Sequence, residues 1–155
     1  QPSFKSVIFC FLTDTAKIEK NIGRIEKIGF PNWSVGELDA KVDTGAYTSS
    51  LHCHKIEIVT GEKGEYVHFS LFDPLHPSYQ NRVFKSKLEK VRHVKSSNGT
   101  VQKRYTIKES AIFAGKKRSI ELTLTDRSAM KYDLLLGRKF LQNFLVDVSK
   151  KYLMS

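Results

Sequence analysis

The most informative segment of this sequence is Val42-Asp43-Thr44-Gly45-Ala46. An acid follows a strand-like apolar segment and precedes a short turn, where glycine lets the backbone bend tightly. Two carboxylates about 3 Å apart that share one proton can polarise a water molecule for hydrolysis. Asp-Thr-Gly also recurs by chance in structural loops, so a structural role and a catalytic role both stay open for this segment alone.

Two features further along the chain favour the catalytic role. Residues 134–138 read Leu-Leu-Leu-Gly-Arg, an apolar strand that ends in glycine, and we expect it to pass beneath the acid loop and support it. Between the two lies Asn98-Gly99, a strong hairpin signal because both residue types tolerate the positive φ of a type I′ turn. We expect this hairpin to form a flap that covers a substrate.

The hydrophobic periodicity is mostly that of strands. Apolar and polar residues alternate over 119–125, 65–71 and 101–107, and a shorter strand is predicted over 144–148. The segment 7–12 is also interpreted as a strand. Only Gly137 to Asn143 offers a helix, and a short one. The predicted fold class is therefore all-β, a small closed barrel with one short helix.

Length and composition agree with one folded domain. The 155 residues suffice to bury roughly two-thirds of the unfolded surface, and no apolar run approaches the ~20 residues that span a bilayer. Two cysteines, Cys10 and Cys53, are too few for a disulfide scaffold or a four-thiolate zinc site. Gln1 at the start indicates a removed signal segment or a chain boundary. The compartment is exported (periplasmic) or cytoplasmic, and this start slightly favours export.

The positive charge is concentrated in residues 82–118. This window holds twelve basic and two acidic residues and so accounts for the whole formal charge of +10. A concentrated positive field attracts anionic partners. A solvated surface that keeps the protein soluble is the more usual explanation of a charge run.

The combined motifs resemble the retropepsin-like family whose members carry the name ATP-dependent zinc protease, some of them associated with RimK-type glutamate ligases. The matching segments are 40–46, 48–52, 94–99, 120–127, 135–138 and 145–147, and the resemblance that they carry covers most of the region 22–153. The family often has arginine after Asp-Thr-Gly-Ala, where this chain has Tyr47. The resemblance implies a retropepsin-like aspartic peptidase domain over 21–155, preceded by an extension over 1–20.

Carried over residue by residue, the resemblance implies that Asp43 is the catalytic acid. It also implies an acid loop of Thr44, Gly45 and Ala46, a flap of Lys95, Ser96, Ser97, Asn98 and Gly99 continuing to Tyr105, and a supporting turn of Leu136, Gly137 and Arg138. Since the chain holds a single Asp-Thr-Gly, a shared-proton pair requires a homodimer with Asp43 facing its own copy. The substrate would be a peptide or protein. The basic flap and the ligase association suggest an acidic, glutamate-rich chain.

No cofactor and no metal are predicted. His52 and His54 stand two apart on a strand and so can share one ion, but two ligands at that spacing make a poor site. A phosphate-binding Gly-x-x-x-x-Gly-Lys motif is missing. We expect Arg138 to pair with Asp126 or Asp147. The alternative function is a non-catalytic basic barrel that binds an acidic partner; a nucleic-acid partner is not favoured, because no aromatic stacking motif is present, and no membrane partner is expected.

Overall fold

A computed structural model describes residues 18–95, 97–126 and 131–154. Within these residues the regular structure consists of strands. In chain order they are β1 (Lys20–Gly23), β2 (Ile25–Gly29), β3 (Glu37–Val42), β4 (Ser49–Gly61), β5 (Gly64–Leu71), β6 (Phe84–Lys95), β7 (Val101–Phe113), β8 (Lys116–Thr125), β9 (Leu134–Leu136) and β10 (Phe144–Asp147). A membrane-spanning helix is absent from this part of the chain.

Eight of these strands form one sheet that closes on itself. Its order is β2-β3-β9-β4-β5-β6-β7-β8, and further pairings join β4 to β8 and β2 to β7. Closure satisfies the edges that an open sheet would leave unpaired. A separate parallel pair, β1 with β10, brings the two ends of the described chain together. The fold is all-β and barrel-like, as the sequence predicted.

The alternating pattern determines which face of each strand is buried. On β8, Ile120, Leu122 and Leu124 lie in the core, whereas Thr123 and Thr125 point to the opposite face. On β4, Leu51 and Cys53 are buried in the same core. Because side chains alternate along a strand, the residues that stand between these core residues point to the opposite face of the two strands, which is more polar.

The short strand β9 lies between β3 and β4. Its pairing with β3 is parallel, with Val42 opposite Leu136, and its pairing with β4 is antiparallel, with Leu51 opposite Leu134. The last residue of β3 therefore lies beside the last residue of β9. This arrangement sets the acid loop, which follows β3, next to the turn that follows β9.

The structure confirms the predicted strands over 65–71, 101–107, 119–125 and, up to residue 147, 144–148. The predicted helix over Gly137 to Asn143 is wrong. That segment consists of turns: the amides of Phe140 and Leu141 bond to the Gly137 carbonyl, but the next bond runs from Phe144 to the Leu141 carbonyl and β10 begins at Phe144, so a single turn forms and does not continue as a helix. The predicted strand over 7–12 lies outside the described residues.

Glu26 on β2 is fully buried, and its carboxyl group connects the two ends of the described chain. Its Oε1 accepts hydrogen bonds from the backbone N–H groups of Gly23 and Leu153, each at 2.8 Å, and its Oε2 accepts one from Met154 at 3.2 Å. A buried carboxyl group is stable only where its oxygens are bonded in this way. Glu26 therefore holds the segment after β10 against the barrel.

We predict that Glu26→Ala lowers the free energy of unfolding by about 1–3 kcal/mol, because the buried Gly23 N–H is left without its acceptor and the part-buried N–H groups of Leu153 and Met154 lose theirs. Urea denaturation followed by circular dichroism measures this. Glu62→Ala, in the exposed turn between β4 and β5, is the matched control and should unfold like the unchanged protein. Equal stability of the two variants would contradict the role assigned to Glu26.

Candidate active site

Asp43 follows β3 directly and is held by its own loop. Its backbone N–H donates to the Leu136 carbonyl at 2.9 Å, and its Oδ1 accepts the Gly45 N–H at 3.0 Å. The Ala46 N–H closes the turn on the Asp43 carbonyl at 3.2 Å. The side chain is half-buried, so one edge of the carboxyl group is fixed by the backbone while the group stays accessible.

The turn after β9 supports the acid loop from below. Arg138 N–H donates to the Ala46 carbonyl at 2.8 Å, and Lys139 N–H donates to the Tyr47 carbonyl at 2.9 Å. The buried Gly137 N–H donates to Ser49 Oγ at 3.0 Å. A Cβ at position 137 would lie 2.6–2.7 Å from backbone atoms of residues 47 and 48, a separation that real Cβ atoms do not show. Only glycine fits there.

The Arg138 side chain binds the acid loop as well. Its Nη1 donates to the Thr44 carbonyl at 3.0 Å, and its guanidinium lies 5.8 Å from the centre of the Tyr47 ring. The expectation that Arg138 pairs with Asp126 or Asp147 is therefore wrong. The carbonyls of a tight loop lie closer to Arg138 than either carboxylate and need a donor.

Asp43 opens into a cavity of about 220 Å³ between the acid loop and the β6–β7 hairpin. The cavity is lined by Asp43, Ala46, Thr48, Ser50, Arg92, Val94, Arg104, Thr123, Thr125 and Leu135. In the part of the chain that the structure describes, Asp43 is the one carboxylate of this lining, whereas Arg92 and Arg104, which face each other across β6 and β7, bring two guanidinium groups. Neither arginine forms an ion pair with an acid in the described residues. The cavity therefore combines one acid with an excess of positive charge.

The predicted flap residues lie in and around the loop at the end of this hairpin. Lys95 pairs with Val101, so the loop spans 96–100 and is longer than the two-residue turn that Asn98-Gly99 predicted. Gly99 adopts a φ of +87°, and Asn98 Oδ1 accepts the Thr100 N–H at 3.1 Å. Lys95, Ser97, Asn98 and Gly99 are exposed, and Ser96 lies outside the described residues. The hairpin contacts the cavity through its arms, at Arg92, Val94 and Arg104.

A second polar cluster surrounds His52 and His54 on β4. One donor atom each from His52, His54 and Asp126 lie within 4.8 Å of one another, and Asp73 Oδ1 lies 2.5 Å from His54 Nε2. Sequence reasoning named the two histidines but missed both acids, because Asp73 follows β5 and Asp126 follows β8, far from β4 in sequence. Cys53, between the histidines, points into the core, where burial raises the pKa of its thiol to about 12. It is not a reactive nucleophile.

Sequence reasoning named Arg92 and Arg104 only as two of twelve basic residues. Their positions opposite the acid depend on the register of β6 against β7, which the charge pattern does not encode. The one local signal available was the spacing of Arg92 and Val94 on β6, since residues two apart on a strand point to the same face.

Comparison with known families shows to which family this chain is related. A family model described as RimB-like, retropepsin-like aspartic endopeptidase RimB, matches residues 21–155. The chain belongs to this family. The RimB-like match begins directly after residue 20 and includes the acid loop, the β6–β7 hairpin and the turn after β9.

Relatives of this RimB-like chain carry a different name. Two proteins named probable alpha-L-glutamate ligase, from Shewanella halifaxensis and Parasynechococcus marenigrum, are 39% and 33% identical to it over 136 and 122 residues. These alignments cover 84% and 76% of the chain but only 29% and 25% of the relatives. The chain therefore spans less than a third of the length of these relatives.

The RimB-like chain also resembles a crystal structure of a Legionella pneumophila protein of unknown function. The TM-score is 0.74 at 26% identity, over 88% of this chain and 99% of the other. The family match confirms the retropepsin-like part of the resemblance seen in the sequence. Neither the family description nor the names of these relatives mention zinc, so the zinc-protease name is not supported.

We predict that Gly137→Ala lowers the free energy of unfolding by about 1–3 kcal/mol, because the added methyl group must displace backbone of the acid loop. Thermal or urea denaturation measures the change. Gly29→Ala on β2 is the matched control, since a Cβ there comes no closer than 3.9 Å to another residue. If the two variants unfold alike, Gly137 does not carry the close contact described here.

Proposed function

We propose that this RimB-like chain is an aspartic endopeptidase that works as a homodimer. Asp43 of each chain would contribute one carboxyl group to a pair that shares a proton and activates water. The observation that supports this best is the set of backbone hydrogen bonds that hold Asp43. Hydrogen bonds from Gly45 and to Leu136 fix the acid at the entrance of a cavity without burying it.

The composition of the cavity supports the proposed homodimer. An aspartic mechanism needs two carboxyl groups close enough that both cannot ionise. Asp43 is the single acid among the described residues that line the cavity, so the second must come from another copy. The exposed Thr44 and the 54% exposed Tyr47, on the same loop, are available to contact that copy.

An acidic, glutamate-rich chain is the substrate class we propose. Arg92 and Arg104 lie in the cavity with Asp43 and have no carboxylate partner in the described chain. Guanidinium groups bind carboxylates through paired, charge-assisted hydrogen bonds. The ligase name of the relatives associates similar sequences with glutamate, which agrees with this substrate class.

The second candidate function is binding of an acidic partner without cleavage. The same arginines support it, since they would hold a carboxylate-rich segment whether or not a second Asp43 is present. The two functions differ in one measurable respect. A peptidase cleaves poly-glutamyl peptide and loses that activity when Asp43 is changed, whereas a binding module retains the peptide intact.

We predict that Asp43→Asn abolishes cleavage and leaves the fold unchanged, because the asparagine Oδ1 can still accept the Gly45 N–H. Cleavage of a fluorogenic glutamyl peptide measures activity, with Asp39→Asn, a surface acid on β3, as the control. The unchanged protein should show a bell-shaped pH–rate profile with an acidic maximum, where the pair holds one proton. Full activity of Asp43→Asn would exclude the aspartic mechanism.

Mixing the variant with unchanged protein tests the homodimer. If each site needs two copies of Asp43, activity at constant total protein falls as the square of the unchanged fraction once subunits have exchanged. A linear decline, together with a monomer in sedimentation, would show that one chain suffices.

We predict that Arg92→Gln and Arg104→Gln each lower kcat/KM for a poly-glutamyl peptide about tenfold, the equivalent of about 1.4 kcal/mol and typical of a lost hydrogen bond to a charged group. Cleavage of a neutral peptide should change much less. Lys117→Gln removes the same charge from the same basic window, at an exposed site outside the cavity, and is the control. Equal losses on acidic and neutral peptides, or no salt dependence, would contradict the proposed specificity.

A further inference from the structure

Four side chains from three parts of the chain meet beside the candidate active site. His52 and His54 belong to β4, Asp73 follows β5, and Asp126 follows β8. Ser50, which lines the Asp43 cavity, is two residues before His52 on the same strand. Since alternate residues of a strand share a face, this cluster lies about 7 Å further along the sheet face that forms the cavity floor.

Three of these side chains are close enough to share one ion, because ligand atoms of His52, His54 and Asp126 lie within 4.8 Å of one another. His54 is flanked by both acids, with Asp126 Oδ1 3.3 Å from its Nδ1 and Asp73 Oδ1 2.5 Å from its Nε2. The His52 and His54 rings meet edge to face at 4.6 Å. Ligand atoms around a tetrahedral zinc ion lie about 3.3 Å apart, given metal–ligand bonds of about 2.0–2.1 Å, so the three side chains would move closer together around an ion.

The backbone beside the cluster has unusual conformations that set the directions of these side chains. The β4–β5 pairing shifts register between His54 and Glu57, and Lys55, directly after His54, has a φ of +50°. Phe72, directly before Asp73, is buried with a φ of +64°. Left-handed backbone at a non-glycine residue costs free energy and is found where the surrounding structure needs a particular side-chain direction. Two such residues adjoin the cluster, and each precedes or follows one of its members.

We propose that His52, His54 and Asp126 form a binding site for a divalent transition-metal ion such as zinc. Two imidazoles and one carboxylate are a ligand set that suits zinc. The ion would lie on the Nδ1 side of the His54 ring with Asp126, and Asp73, on the Nε2 side, would orient that ring. The ion would tie β4 to the segment after β8, and this inference does not depend on the proposed peptidase activity.

This site departs from the prediction of no metal made from sequence. That prediction rested on two histidines as the only ligands. The structure adds the two acids, which come from loops that the barrel topology brings to the end of the His52–His54 segment. Without a metal the same cluster would be an electrostatic contact of His54 with both carboxylates, and this is the competing explanation that the experiment must exclude.

Isothermal titration of the whole metal-free chain with zinc chloride at neutral pH tests the proposal. We expect saturable binding of one ion per chain, weaker at acidic pH because protons compete for the imidazoles. His54→Ala and Asp126→Asn should each lower the affinity at least about tenfold, since even the loss of a residue that orients a ligand has that effect. Asp126 is largely exposed, so its variant is expected to fold even if a histidine variant does not.

Two controls make the outcome decisive. His93→Ala removes an exposed histidine of β6, outside the cluster, and should bind zinc like the unchanged chain. Asp43→Asn should also bind zinc normally, so that failure of the peptidase proposal and failure of this one are separable. Cobalt(II) absorption gives a second readout of the ligand set. No saturable binding, or binding that His54→Ala and Asp126→Asn leave unchanged, would overturn the proposal in favour of a metal-free electrostatic contact between His54 and the two carboxylates.

Discussion

The candidate site depends on the absence of a side chain at Gly137. Because no Cβ is present, the turn after β9 approaches the backbone of residues 47 and 48 within a distance that any other residue would prevent. The amides of Arg138 and Lys139 can then bond the carbonyls of Ala46 and Tyr47. The acid loop is thus held by backbone hydrogen bonds, whose geometry does not vary with side-chain rotamers. A reacting carboxyl group benefits from such rigid placement.

The charges around Asp43 are consistent with this rigid placement. Its Oδ1 is already engaged by the Gly45 N–H, so Arg92 and Arg104 are not needed to hold the acid in position. Both arginines come from the β6–β7 hairpin, on the opposite side of the cavity from the acid loop. Backbone groups therefore position the acid, and the two long arginine side chains remain available for the anionic substrate proposed above.

The sequence predicted those features that are encoded locally. Alternation over 119–125 and 65–71 gave correct strands, because period-2 patterning reports directly which face is buried. The segment 137–143 was wrongly predicted as a helix, since its single turn ends where β10 begins, and β10 pairs with β1, more than 100 residues away in sequence. For the same reason, sequence reasoning did not identify the roles of Glu26, Arg92 and Arg104. Their roles depend on register and on chain ends meeting, which no local pattern contains.

Strand β4 connects the two polar regions of the molecule. Its first residues pair with β8 and β9, whereas its later residues leave them and pair with β5. Ser50 therefore lies over the barrel floor near Asp43, and His52 and His54 lie where β4 changes partners and its register shifts. A strand that changes partners must bend, and bulges at such places redirect side chains. The change of partners that lets the sheet close thus brings the two histidines of β4 next to acids from separate loops. The polar cluster is therefore a consequence of closing the barrel around the Asp43 cavity.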